Sequence, residues 1–152
     1  MNRYELVSTW HLAAPIDKVW NVLQDVQGWP RWWSYVLEVE TLSQGEPSGI
    51  GAEHRLTWGT TVPYQLTFTM RRTVAQPPHL MEAHFNGQLH GVGRWTLATQ
   101  GAGTEVRHDW EVTTPGPWMT MISPLLGPMF RFNHGFVMAD GATGLSRFLA
   151  AT

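Results

Sequence analysis

The sequence predicts an α+β fold: a curved antiparallel sheet of seven strands wrapped around a long C-terminal helix, with two short helices between strands one and two. Three observations predict it. Period-two alternation recurs in segment after segment, a helix-like amphipathic stretch follows the first of them, and a long segment free of proline closes the chain. At 152 residues the chain suits one core that buries about 70% of its unfolded surface, so a single domain over 1–152 is expected.

Strand one sets Tyr4, Leu6, Ser8, Trp10 and Leu12 against Arg3, Glu5, Thr9 and His11, with Val7 the exception. Pro15 presets φ for a first helical turn, Asp17 complements the positive helix end, and Val19, Trp20, Leu23 and Val26 make one apolar stripe. Gly28 is expected to end this helix, and Pro30 to open a second short one carrying Trp29, Trp32 and Trp33, whose bulk must find cover. Strand two follows from Tyr35 to Leu42, then a turn from Gly45 to Gly51. Strand three places Ala52, His54, Leu56 and Trp58 inward and Glu53, Arg55 and Thr57 outward.

After a loop from Gly59 to Pro63, strand four sets Tyr64, Leu66, Phe68 and Met70 against Gln65, Thr67, Thr69 and Arg71, and Arg72 continues the inner register. Pro77 and Pro78 turn the chain into strand five, Leu80 to Phe85, where Met81, Ala83 and Phe85 are the candidate inner set, weighed against His84 as an inward histidine. Asn86-Gly87 signals a two-residue hairpin into strand six, whose Leu89, Gly91, Gly93, Trp95 and Leu97 share a face. Beyond Gly101 and Gly103, strand seven separates Thr104, Val106, His108, Trp110 and Val112 from Glu105, Arg107, Asp109 and Glu111. From about Met119 to Leu149, Pro124 and Pro128 predict a broken start before one long helix bearing Phe130, His134, Val137, Gly141, Leu145 and Phe148. Gly135, Gly141 and Gly144 each cost about 1 kcal/mol against alanine inside a helix, which a close approach of backbone or ligand would offset.

Composition excludes several functions. Charged residues are 14% of the chain against roughly 25% in an average domain, while nine tryptophans and seven methionines supply deformable apolar surface. A net charge of −2, one lysine and no arginine cluster beyond Arg71-Arg72 argue against nucleic acid. The absence of cysteine removes thiolate catalysis and thiolate metal sites. Asn2 to Trp10 lacks a signal peptide's pattern and no apolar run reaches a membrane span, so the expectation is a cytoplasmic protein without stable membrane insertion.

The element order, the A-P-x-x-x-V-W-x-V-L pattern from Ala14 and the W-P-x-W-W from Trp29 resemble the START-like (SRPBCC, helix-grip) superfamily. Within it, GQLHGVGRWTL, GTEVRHDWEV and WMTMISPLLGPMFRFNHGFVM look like the polyketide cyclase/dehydrase-like branch. The resemblance implies a deep cavity between sheet and terminal helix that binds a hydrophobic small molecule. Alternation independently directs Trp58, Tyr64, Phe68, Met70, Trp95 and Trp110 towards Phe130, His134 and Met138, a wall suited to a flat aromatic, polyketide- or lipid-like ligand. An empty cavity of about 300 Å³ would forgo roughly 7 kcal/mol, so such a space is expected to be filled.

His54, His108 and His134 are the candidate proton-transfer residues, weighed against hydrogen-bonded core histidines. Arg72 is a candidate anchor for a carboxylate or enolate, weighed against an arginine that reaches solvent. Nothing has metal-motif spacing, and neither metal nor cofactor is expected. Trp32 and Trp33 either gate the cavity or clamp the short helices. Three functions remain open: a carrier of a hydrophobic molecule; a cyclase, aromatase or dehydratase using inward histidines; and a ligand-responsive interaction module with exposed tryptophans and an unknown protein partner.

Overall fold

The computed structural model describes residues 2–59, 65–114 and 117–152, with side chains described for 4–59, 65–113 and 134–152. The elements are β1 (Asn2–Leu12), α1 (Ile16–Gln24), a 3-10 helix (Val26–Arg31), β2 (Val36–Ser43), β3 (Glu53–Gly59), β4 (Gln65–Gln76), β5 (Leu80–Gly87), β6 (His90–Gln100), β7 (Gly103–Thr114) and α2 (Pro117–Ala151). The strands form one antiparallel sheet in the order β1-β7-β6-β5-β4-β3-β2. This is the helix-grip arrangement.

Hairpins explain six neighbouring strands, and the pairing of β1 with β7 completes the sheet. Its register is unbroken from Asn2↔Thr114 to Leu12↔Thr104. Thr104, almost fully buried, donates from Oγ1 to Ala14 O at 2.7 Å and so holds the end of β7 to the turn before α1. Alternation is as expected: Tyr4, Trp10 and Leu12 are buried, and Val7 is 58% exposed. At the other edge, β2 is bulged between Val36 and Glu38 and between Thr41 and Ser43, which twists the free edge away from further pairing.

Four local expectations need correction. The first helix ends at Gln24 rather than Gly28; Gly28 lies inside the 3-10 helix and its N–H donates to Asp25 O at 3.0 Å. Pro30 likewise stands inside that helix, not at its first turn. Asn86-Gly87 does not form a two-residue hairpin, because both residues still pair with β4, as Thr69↔Asn86 and Phe68↔Gly87. The turn falls later, with Gln88 Oε1 accepting from Thr67 N at 2.7 Å, so longer-range pairing overrides the dipeptide's preference. Finally, α2 runs unbroken through Pro124 and Pro128; each proline removes one donor, but the surrounding turns keep helical backbone.

The tryptophan cluster clamps the 3-10 helix onto α2. Trp33 is 1% exposed, and its Nε1 donates to Val137 O at 2.8 Å. Ser34 Oγ donates to Asp140 Oδ2 at 2.6 Å one turn on. The helical glycines make this possible: a Cβ on Gly141 would lie 2.6 Å from Trp33 Cε2, and one on Gly144 would lie 1.7 Å from Trp32 O. Two of the three expensive glycines are therefore accounted for by close approach of ring and backbone. Gly135 has nothing within 4 Å of the same point. The far end is tied by Lys18 Nζ, which donates to Leu149 O at 3.0 Å, a cation at the negative end of α2.

Gly144→Ala is therefore expected to lower stability by more than about 2 kcal/mol despite alanine's better helix propensity, whereas Gly135→Ala should raise it by roughly 0.5 to 1 kcal/mol. Urea midpoints of the two variants check both signs.

Candidate functional site

The concave face of the sheet and α2 enclose a cavity of about 80 Å³. β3 contributes Leu56 and Trp58, β4 Leu66, Phe68, Met70 and Arg72, and β5 Met81, Ala83 and Phe85. Gly93 and Trp95 come from β6, His108 and Trp110 from β7, and His134, Val137 and Met138 from α2. Val26, Trp29 and Trp33 close one end. Period two on each strand and helical spacing on α2 direct these side chains to one interior. Trp33 thus acts as clamp and cavity wall together.

Nine of the residues singled out from sequence meet here: Trp58, Phe68, Met70, Arg72, Trp95, Trp110, His108, His134 and Met138. Tyr64 and the side chain of Phe130 lie outside the described residues. His54 is not on the cavity wall; it stands half-buried on β3, where Arg72 and Asp25 are its charged neighbours. His84 is exposed, and Met81, Ala83 and Phe85 are the inner set of β5. Gly93 was legible only as part of a face. Its function is space, since a Cβ there would meet Phe85 Cζ at 2.8 Å and His108 Nε2 at 3.3 Å.

The aromatic wall is continuous. Trp33 meets Trp58 edge-on at 4.8 Å between ring centroids, Trp58 stacks on Phe68 at 6.4 Å, and Phe85 contacts Phe68 and Trp110 edge-on. At the opposite wall, the His108 ring lies 4.1 Å from that of Trp95, and His134 stacks on Trp110 at 5.2 Å. The volume lies below the roughly 300 Å³ at the low end of ligand pockets. At the cost measured for engineered cavities, about 80 Å³ amounts to roughly 2 kcal/mol, which a folded domain tolerates.

Arg72 is 7% exposed, so it does not reach solvent. Its Nη2 donates to Gln24 O at 2.7 Å, and it thereby caps the negative end of α1. Burial lowers its pKa and Asp25 partly opposes that shift. Desolvation also lowers His54, with Arg72 adding to it. Burial pushes His108 down to about 3, His134 reinforcing the shift, and pushes His134 down to about 4. Both imidazoles are neutral near pH 7. Among the described residues, Trp58 Nε1, His108 Nδ1 and His134 Nε2 are buried without a hydrogen-bond partner. No group of three or more His, Asp or Glu among the described residues is placed to hold a metal ion.

A curved sheet closed by a helix over an apolar cavity defines a class, the helix-grip proteins. The chain belongs to the family described as polyketide cyclase/dehydrase and lipid transport, which matches residues 3–146. A search of curated proteins gives no match. Among solved structures, the chain is similar to a START superfamily protein from Mycobacterium smegmatis, with TM-score 0.79, 15% identity and 97% of each chain covered. It is similar to the Zhui aromatase/cyclase from Streptomyces sp. R1128, with TM-score 0.69, 19% identity, and 98% of this chain and 94% of that one covered. It also matches the di-domain ARO/CYC BexL from the BE-7585A biosynthetic pathway, with TM-score 0.74 and 16% identity; 95% of this chain spans about half, 49%, of that protein. At these identities the likeness is one of fold.

The buried histidines make stability depend on pH. Unfolded, both titrate near 6.5; folded, only at about 3 and about 4. Above pH 6.5 neither state binds these protons, and as pH falls below it the unfolded chain takes them up first, so stability falls with acidification. Between pH 7 and pH 5 the expected loss is at most about 2 kcal/mol per histidine. Urea denaturation at a series of pH values checks this, and His134→Phe should flatten the slope by about half.

Proposed function

We propose that this protein binds a hydrophobic small molecule, flat and aromatic, polyketide-like or lipid-like, in the cavity between the sheet and α2. One observation carries the reading: an aromatic and aliphatic wall on which Trp58 Nε1, His108 Nδ1 and His134 Nε2 are buried with no hydrogen-bond partner among the described residues. A plain core satisfies its polar groups internally, whereas ligand pockets are mostly apolar with a few polar groups held ready. Engineered cavities of about 150 Å³ admit benzene, so a ligand of one ring or more must push the wall outward here. Trp58, Leu66, Phe85 and Trp110 are the half-buried aromatic and aliphatic side chains of that wall. Family membership supports the same class of ligand.

Catalysis by the inward histidines as a cyclase, aromatase or dehydratase is the second reading, and the likeness to the Zhui aromatase/cyclase favours it. Its weakness is chemical. Histidines at about 3 and about 4 are poor bases near neutral pH, where a general base works best with a pKa close to the operating pH. His54 also stands off the cavity wall. The interaction-module reading relied on exposed tryptophans, and Trp29, Trp32 and Trp33 are all buried.

Protein purified under mild conditions and analysed by native and then denaturing mass spectrometry should release a non-covalent hydrophobic compound, or should bind an added polycyclic probe with a rise in Tm. Gly93→Leu, which fills the space between Phe85 and His108, should reduce that binding by at least about tenfold. Unchanged binding in this variant, with its fold retained, would place the ligand elsewhere.

A further inference from the structure

The two wall histidines carry a more specific inference, which rests on the cavity-binding reading above. His108 on β7 lies against the indole of Trp95, and His134 on α2 stacks on Trp110, two positions along the same face of β7. Each imidazole is held by a flat neighbour, and each keeps one buried nitrogen, His108 Nδ1 and His134 Nε2, without a hydrogen-bond partner among the described residues. A neutral imidazole has one N–H and one lone pair, so the pair offers a ligand both donor and acceptor. A carboxylate has only acceptors, and its burial beside uncharged rings is opposed by the loss of its hydration.

Among the described residues, charges elsewhere on the wall do not change this balance. The Arg72 guanidinium is bonded to Gln24 O, and along the row Arg72↔Ala83↔Gly93↔Trp110 its backbone is three strand spacings, roughly 14 Å, from Trp110. Glu82 also borders the cavity, and its Oε2 is ion-paired with Arg94 at 2.7 Å. We propose that His108 and His134 form a paired polar subsite that selects uncharged planar ligands bearing a hydroxyl or carbonyl group, and rejects the same skeletons bearing a carboxylate. The low pKa values of both rings support the neutral state that this needs.

The test uses the full chain at neutral pH with three one-ring probes that share a skeleton: p-cresol, toluene and p-toluate. Affinities come from titration, and the imidazole nitrogen NMR shifts of the unmodified protein report engagement of the histidines. The expected result is p-cresol bound at least about 30-fold more tightly than p-toluate, with nitrogen shifts on adding p-cresol that toluene does not produce. His134→Phe, which keeps the stack on Trp110, should lower the preference for p-cresol over toluene by about fivefold. If p-toluate binds within about threefold of p-cresol, or if p-cresol leaves the nitrogen shifts unmoved, the subsite is overturned while the cavity reading stands. If none of the three probes binds, the subsite is overturned, and the mass-spectrometric and polycyclic-probe test above decides the cavity reading separately.

Discussion

The structure depends on the clamp between the tryptophan segment and the terminal helix. Lys18 ties the far end of α2, and the clamp fixes its middle against the tryptophan segment. Trp33 Nε1 is bonded to Val137 O, and the notch left by Gly141 and Gly144 lets a ring and a backbone carbonyl approach where any side chain would collide. Helix glycine is unfavourable locally, by about 1 kcal/mol each. Here that local cost is the condition for the tertiary contact.

The clamp also makes the cavity. Because Trp33 is wedged between α2 and the ring of Trp58, the helix is held away from the sheet at one end, where Val26 and Trp29 seal the gap. The remaining wall is aromatic and shares edge-on and stacked contacts from Phe68 to Trp110. Such contacts prefer definite angles, which fixes how neighbouring rings of the wall meet. A space that is small at rest and lined by half-buried rings is suited to a ligand that supplies part of its own packing.

Polarity within this space is divided. Arg72 is committed to the carbonyl end of α1, so its charge serves the connection between helix and sheet. His108 and His134 sit in surroundings that favour the uncharged form, and that desolvation weakens them as bases near neutral pH. Burial, the property that brings them to the cavity, thereby also limits their chemistry.

By itself, the sequence determined the strands, their inner faces and the family resemblance, because a period of two and a helical period are local properties carried by adjacent residues. The inward positions of Phe68, Met70, Trp95, His108 and Trp110 were legible in this way. Local signals misled where distant groups competed: Asn86-Gly87 is drawn into pairing with β4, and Gly28 lies in a 3-10 helix that follows the end of α1. Only the tertiary structure decided that β1 joins β7, that His54 stands off the wall, that Arg72 is tied to α1, and that Gly141 and Gly144 are seats for Trp33 and Trp32. Each of these depends on which surfaces meet across many residues of chain, and alternation names a face without saying what it will touch.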